Sequence, residues 1–355
     1  MFKDFIVEKT KNLQEGYKPL KRHFSIGYFG AQARFSDNII ELIHPEATRY
    51  IDLTAGGCGT PYKVALTKNI PITTNDFGYY SNQCATSVFK EDVSKINIKE
   101  YLLEMLDIEP VEGYLTSLLN SGWKKTKQGS WSKEMRMYID GYCIANKDKP
   151  LALAALGKSF LGVYSFRGMS WVSTTNSKEK IETLSATHLI NNIIKKFMEF
   201  YHYNLALPQG LDHNTSWNDA NSFIHTYDKF EGSHVYMDPA WPWNFASNDN
   251  PYFLSSELIP QILLQRNIEV RPGLFWEYGQ QDRILKEVTD WVEIPLSKGA
   301  KRVIVNTQST NYPEPSIVEA HLKTKFNNVL SSQHDFNTNL AKDKKFGEYF
   351  WIIES

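Results

Sequence analysis

The chain has 355 residues, 42% hydrophobic and 22% charged, an ordinary globular composition that leaves no case for long disorder. It is long enough for a sizeable α/β core plus an inserted or appended subdomain. A formal net charge of −1 excludes any global attraction for nucleic acid, so a nucleic-acid enzyme of this composition needs its lysines and arginines segregated on one face.

In chain order, Ile39, Ile40 and Ile43 share one helical face ahead of a first strand near Tyr50–Leu53. That strand runs through Ile51-Asp52-Leu53 into Thr54-Ala55-Gly56-Gly57-Cys58-Gly59, a turn whose glycines let backbone approach a ligand with no side chain in the way. Pro61 then opens a helix through Val64, Ala65 and Leu66. A second strand near Ile72–Asn75 ends at Asp76, an acid placed to accept hydrogen bonds from two ribose hydroxyls. Its separation from the glycine turn is close to the ~20 residues of a nucleoside-binding α/β unit. The strict G-x-G-x-x-G and the P-loop Gly-Lys-Ser/Thr are both missing, which argues against dinucleotides and nucleoside triphosphates.

Residues 85–204 read as a mainly helical, partly basic insert between two α/β blocks, 1–84 and 205–355. Helical periodicity shows in Tyr101, Leu102, Met105 and Leu106, and again in Ile190, Ile193, Ile194 and Phe197. An excursion this long inside a parallel sheet implies a subdomain with its own task. Its clearest basic segment holds Lys124, Lys125 and Lys127 between Trp123 and Trp131, a mix suited to phosphate contact and stacking. The second block is expected to hold strands near Ser222–Thr226, Val235–Asp238, Arg302–Asn306 and Tyr349–Ile353.

Asp238-Pro239-Ala240-Trp241 follows the apolar run Val235-Tyr236-Met237. It sets a carboxylate, an unhindered carbonyl and a flat ring at the end of a strand. Those groups suit an exocyclic amine on a nucleobase: Asp238 accepts one N–H, the Pro239 carbonyl the other, and Trp241 stacks on the ring.

Taken together these motifs resemble the N6-adenine DNA methyltransferases of the Dam type, in the family's own order. Ile51 to Gly57 is similar to the family's strand and F-A-G-G cofactor turn, and Asp238-Pro239-Ala240-Trp241 to its Asp-Pro-Pro-Tyr motif. Leu156-Gly157-Lys158-Ser159-Phe160-Leu161-Gly162-Val163-Tyr164-Ser165 resembles the F-N-G-L-Y-R segment leading into the DNA-reading hairpin. Trp217 to Phe223 resembles the short acidic turn that contacts the cofactor's adenine, and Gly299 to Thr307 the strand ending beside the target-base pocket. The resemblance implies a Rossmann-like S-adenosylmethionine-dependent methyltransferase sheet with an inserted, mainly helical DNA-recognition subdomain. It implies S-adenosylmethionine as cofactor, held by Tyr28, Phe29, Gly30, Asp52, Thr54, Ala55, Gly56, Gly57, Asp76, Asp219, Ala220 and Asp238. It implies methyl transfer to the N6 amine of a flipped-out adenine by Asp238, Pro239 and Trp241, with double-stranded DNA met by Lys124, Lys125, Lys127, Tyr164 and Arg167.

The chain departs from the family at three places. Tyr28-Phe29-Gly30-Ala31-Gln32-Ala33-Arg34 stands where the family carries Gly-Gly-Lys, Leu161 and Ser165 replace its usual Asn and Arg, and Ala240 replaces the second Pro. Loss of that Arg implies a different recognition sequence, or readout by the nearby Arg167. Two other readings follow: a methyltransferase acting on RNA or a protein amide, or an idle methyltransferase fold that binds DNA in defence or regulation. No nuclease signature is fused to the chain, so a restriction activity would need a separate partner. Cys58, Cys84 and Cys143 form neither a zinc pattern nor a disulfide framework, no H-x-x-x-H spacing occurs, and no metal is expected. No apolar run reaches the ~18 residues of a membrane span, and the expectation is a cytoplasmic protein.

Overall fold

The computed structural model describes residues 3–11, 35–120, 133–161, 186–239, 241–242, 276–338 and 341–355. Among these are seven strands and twelve α-helices, divided between two units. One unit comprises Gln32–Phe77, Pro208–Asn250 and Val270–Ser355; the other comprises Met1–Ala31, Gly78–Leu207 and Pro251–Glu269.

The first unit is built on one sheet: β1 (Arg49–Asp52), β2 (Ile72–Asp76), β3 (Asn214–Trp217), β4 (Ser233–Met237), β5 (Arg302–Gln308), β6 (Val329–Thr338) and β7 (Ala341–Glu354). The order is β3-β2-β1-β4-β5-β7-β6. Every pair from β3 to β5 is parallel, and β7 runs antiparallel to both its neighbours. This mostly parallel sheet is compatible with a Rossmann-like fold. It differs from the 3-2-1-4-5-6 order by the reversed strand set between β5 and β6. Every residue of β2 and β4 is buried, as expected of parallel strands covered on both faces.

Alternation along the strands divides the sheet into two unlike faces. Ile51, Val235, Met237, Val303, Val305, Trp351 and Ile353 join the aliphatic core, packed by the helices Ala220–Thr226, Gln281–Ser297 and Pro315–Lys325 through Phe223, Val288, Trp291 and Val318. Tyr50, His234 and Tyr236 alternate with those residues and stack on one another, with Tyr50 5.7 Å from His234 and 6.4 Å from Tyr236 between ring centroids. On that face Phe35 meets Phe350 edge-on, just before the helix Ser36–Leu42, whose Ile39 and Ile40 are buried as their periodicity predicts.

The predicted strand near Ser222–Thr226 is instead the helix Ala220–Thr226. Asp219 caps it, one carboxylate oxygen accepting from the Ser222 amide at 2.8 Å and the other from the Ser222 hydroxyl at 2.6 Å. The Lys298 ammonium closes the other end on the carbonyls of Ile224 and Tyr227, each at 2.8 Å. The strand of this region lies earlier, at Asn214–Trp217, paired with β2. Residues Tyr349–Ile353 fall within β7 as expected, while its hairpin partner β6 carried no apolar signal in its polar sequence.

The described part of the second unit is helical, with α-helices at Lys3–Thr10, Tyr79–Phe89, Ile98–Leu106, Tyr114–Asn120, Lys133–Ala145, Pro150–Leu161 and Ala186–Ala206. Leu102, Met105, Leu106, Ile190, Ile193, Ile194 and Phe197 are buried, as their spacing predicts. Gly157 lies so close to the Tyr80 ring that an added Cβ would fall 2.3 Å from it, so the absence of a side chain at Gly157 makes room for that ring between the helices Pro150–Leu161 and Tyr79–Phe89. Two buried polar side chains serve helix ends. Asp140 accepts from the amides of Gly113, Leu115 and Thr116, and Asn204 donates to the carbonyls of Ser87, Val88 and Glu91. Among the described residues no helix is long and apolar enough to cross a membrane.

Candidate active site

In an open α/β sheet, ligands bind beyond the carboxyl ends of the strands where the strand order reverses. Here the reversal falls between β1, which leads outward to β2 and β3, and β4, which starts the other half. The loops leaving β1, β2, β3 and β4 therefore converge, and hydrogen bonds tie all four together.

The loop after β1 is shaped by its residues. Gly56 has φ 45° and Cys58 φ 53°, and the Cys58 amide closes on the Ala55 carbonyl at 2.7 Å. The helix Gly59–Lys68 follows, with Pro61 in its first turn, where a missing amide proton costs no intrahelical bond. The next loop holds this turn in place. The Asp76 carboxylate accepts the Gly56 amide at 2.7 Å, and the Asn75 carbonyl accepts the Ala55 amide at 2.9 Å. The Asn75 carboxamide donates to Leu53 and Asn218, each at 3.0 Å, joining the ends of β1 and β3. Asp76 completes the join by accepting the Asn218 amide on its carbonyl at 3.1 Å. Trp217 stands half-exposed beside it, with its indole N–H on the Phe77 carbonyl at 2.8 Å.

From the other side, the amide of Asp238 donates to the Thr54 hydroxyl at 2.9 Å. The Thr54 amide in turn donates to the Asp52 carboxylate at 3.2 Å. Thr54 thus couples the turn after β1 to the first residue beyond β4. Burial holds the Asp52 carboxyl well above its ordinary range; the Thr54 amide offsets part of this, and the nearby charges of Asp238 and Asp76 push it further up. Three carboxyl groups therefore share one electrostatic neighbourhood at this edge.

The expected residues are distributed as follows. Asp52, Thr54, Ala55, Gly56, Gly57, Asp76 and Asp238 come together at this edge of the sheet, and Asp219 and Ala220 follow the loop from β3 that touches Asp76. Both Asp219 oxygens are engaged in capping its own helix. Tyr28, Phe29, Gly30, Lys124, Lys125, Lys127, Tyr164 and Arg167 lie outside the described residues.

Two expectations for the Asp-Pro segment are corrected. Trp241 is not a free stacking platform: its ring is 1% exposed, packed 5.0 Å from Trp276, with its N–H on the Asn306 carbonyl at 2.8 Å. An indole is a large apolar body with one donor, and core packing with a partner for that donor wins over exposure to solvent. Nor is the Pro239 carbonyl unhindered, since it accepts the Trp241 amide at 2.8 Å. One of its lone pairs remains.

The sequence reading gave Asn75 no role and placed Thr54 on the cofactor, without its bond to the Asp238 amide. The available signal for Asn75 was an amide side chain one residue before a strand-terminal acid. Among the described residues no group of three or more His, Cys, Asp or Glu is arranged to hold a metal ion, and the three cysteines are buried and in no disulfide. No family model matches the chain, and no curated protein is significantly similar to it.

Proposed function

We propose that the chain is a site-specific DNA methyltransferase of the Dam type, acting on the N6 amine of adenine. The observation that carries this reading is the Thr54 bridge: it couples an Asp-Pro segment leaving β4 to a glycine turn leaving β1, at the switch point of the sheet. A transferase needs its acceptor and donor sites side by side, and this bridge sets their loops in contact. The strand order, with its reversed strand between β5 and β6, also suits the methyltransferase sheet that the sequence resemblance implies.

The residues present fit S-adenosylmethionine. Gly56, at positive φ, brings backbone to the ligand position without a side chain. Asp76 ends β2 where a ribose diol is gripped in such folds, and it is held there by the Gly56 amide. The carboxylates of Asp76 and Asp238, which already act on Asp52, make a field that favours a cationic ligand. When bound, S-adenosylmethionine supplies a methyl group on a sulfonium centre.

The protein's own groups then have defined tasks. The lone pair of the adenine amine is delocalised into the ring, so the amine is a weak nucleophile. The Asp238 carboxylate and the remaining lone pair of the Pro239 carbonyl accept its two N–H groups, favour a pyramidal nitrogen and steady its growing positive charge. Thr54, through the Asp238 amide, fixes that grip relative to the cofactor turn. The base leaves the duplex to reach this edge, at a cost of a few kcal/mol.

Asp238→Ala tests the reading. Incubated with unmethylated DNA and labelled S-adenosylmethionine, the variant is expected to lose methyl transfer while binding the cofactor product within a few-fold of wild type. Full turnover in Asp238→Ala removes this segment from the chemistry.

A further inference from the structure

Beyond the Asp-Pro grip, the sheet carries a second polar feature that the mechanism above does not use. On β5, Val303 and Val305 enter the aliphatic core, so Asn306 faces the opposite side with Ile304. It is fully buried, and neither its carboxamide oxygen nor its carboxamide nitrogen has a hydrogen-bond partner. Tyr236 lies on the same face of β4, 2% exposed, and its hydroxyl is likewise without a partner. Tyr236 pairs with Ile304 in the parallel register, which sets Asn306 one pleat further toward the edge where Asp238 leaves β4. The Asn306 carbonyl holds the Trp241 indole, tying this position to the Asp-Pro turn. Asp238, Asp52 and Glu348 all lie within electrostatic range of the Tyr236 hydroxyl.

A buried carboxamide with both atoms unbonded is a standing penalty on a fold, and native proteins retain few of them. An aliphatic side chain of the same shape would remove that penalty. Two such groups on one face of β4 and β5, near the end where Asp238 leaves the sheet, point to a ligand edge that satisfies them. With Asp238 and Pro239 accepting both protons of an exocyclic amine, the neighbouring ring nitrogen is a bare acceptor that needs a donor. The Asn306 carboxamide and the Tyr236 hydroxyl are unbonded donors on the face of the sheet from which Asp238 leaves β4.

We propose that Asn306, with Tyr236 beside it, is a specificity-determining residue that donates to the ring nitrogen adjacent to the amine held by Asp238 and Pro239. The inference rests on the methyl-transfer reading and adds the means by which an amino-substituted base is told from a ring lacking that nitrogen. N1 of adenine and N3 of cytosine both satisfy the geometry, whereas a protein amide has no ring nitrogen to offer.

The test uses the full chain. Wild-type protein methylates unmethylated genomic DNA, the modified sequence is located, and short duplexes carry adenine, 1-deazaadenine or 7-deazaadenine at the target position. Wild type is expected to act on 1-deazaadenine about 10- to 100-fold more slowly than on adenine, the effect of one lost hydrogen bond to a buried group, and on 7-deazaadenine nearly normally. Asn306→Leu is expected to melt no lower than wild type, to show the same 10- to 100-fold loss on adenine, and to lose nothing further on 1-deazaadenine. Asn306→Val, which also lacks the donor, should behave likewise. The proposal is overturned if Asn306→Leu methylates adenine as fast as wild type, or if it still distinguishes the two bases. It is equally overturned if both variants melt well below wild type, which makes Asn306 a structural residue. A wild type that methylates no DNA at all, or one that methylates a glutamine-containing peptide instead, sinks the methyl-transfer reading itself and the inference with it.

Discussion

The Asp76 carboxylate accepts the amide of Gly56 at 2.7 Å across 20 residues of chain. An acid assigned to a ribose therefore also clamps the turn that would receive the rest of the nucleoside. Its Oδ2 atom serves the protein, and a carboxylate oxygen has more than one acceptor site.

From this double use, Asp76→Ala is expected to weaken binding of S-adenosylhomocysteine by at least about 10-fold, more than one lost ligand bond alone implies. Asp76→Asn, which keeps an acceptor for Gly56, should lose less. Titration calorimetry on both variants separates the two contributions. Wild-type affinity in Asp76→Ala would detach this residue from the cofactor.

Thr54→Val keeps the shape of the side chain and removes the acceptor of the Asp238 amide. A part-buried N–H left without a partner costs up to about 1 kcal/mol, so the variant should unfold at slightly lower urea and transfer methyl groups more slowly. Thr54→Ser is expected to restore both. Unchanged turnover in the valine variant would mean that the bridge does not align the two loops.

Trp241 is expected to act through stability. Removing a buried indole costs about 3–5 kcal/mol, and Trp241→Ala also removes the indole N–H that the Asn306 carbonyl accepts. Urea denaturation should show a loss of that size, while Trp241→Phe recovers most of the packing but not the hydrogen bond. A Trp241→Ala protein as stable as wild type would contradict the buried placement.

His234 gives the fold a sensitivity to acid. Burial, with smaller contributions from Arg302, His44 and Lys68, lowers its pKa to about 3. The unfolded chain takes up this proton near pH 6.5 and the folded chain does not. Stability is therefore fully present above the unfolded value and is lost as pH falls toward the folded one. Between pH 7 and pH 5 the loss attributable to this group is about 2 kcal/mol. Urea unfolding at the two pH values should show that difference in wild type, and His234→Phe should largely abolish it. An equal acid sensitivity in the variant would assign the effect elsewhere.

The strands β1, β2, β4 and β5 were legible in the sequence because parallel strands covered on both faces need continuous apolar or β-branched runs. The glycine turn and Asp76 were legible for a related reason: only certain residues adopt that backbone, and the α/β unit repeats at a known spacing. β3 and β6 lie at the two edges of the sheet, where one flank is unpaired and polar residues suffice, so neither carried a signal. The segment Ser222–Thr226 shows how a short apolar pair misleads. Phe223 and Ile224 fit either period, and the Asp219 cap made the segment a helix.

What the sequence by itself determined is the set of local conformations: turns that need glycine, caps that need a short acid, and strands that need burial on both sides. Only the tertiary structure decided which groups are spent on the fold and which remain for chemistry. Trp241 and Asp219 were both assigned to a ligand from their motifs, yet one is packed against Trp276 and the other caps a helix. Asn306 was placed only as part of a strand beside the expected base pocket, with no role of its own, and the fold buries its side chain and leaves it unbonded. The reason is physical: hydrogen-bond capacity is a property of the residue, but its satisfaction depends on neighbours that sequence distance does not reveal.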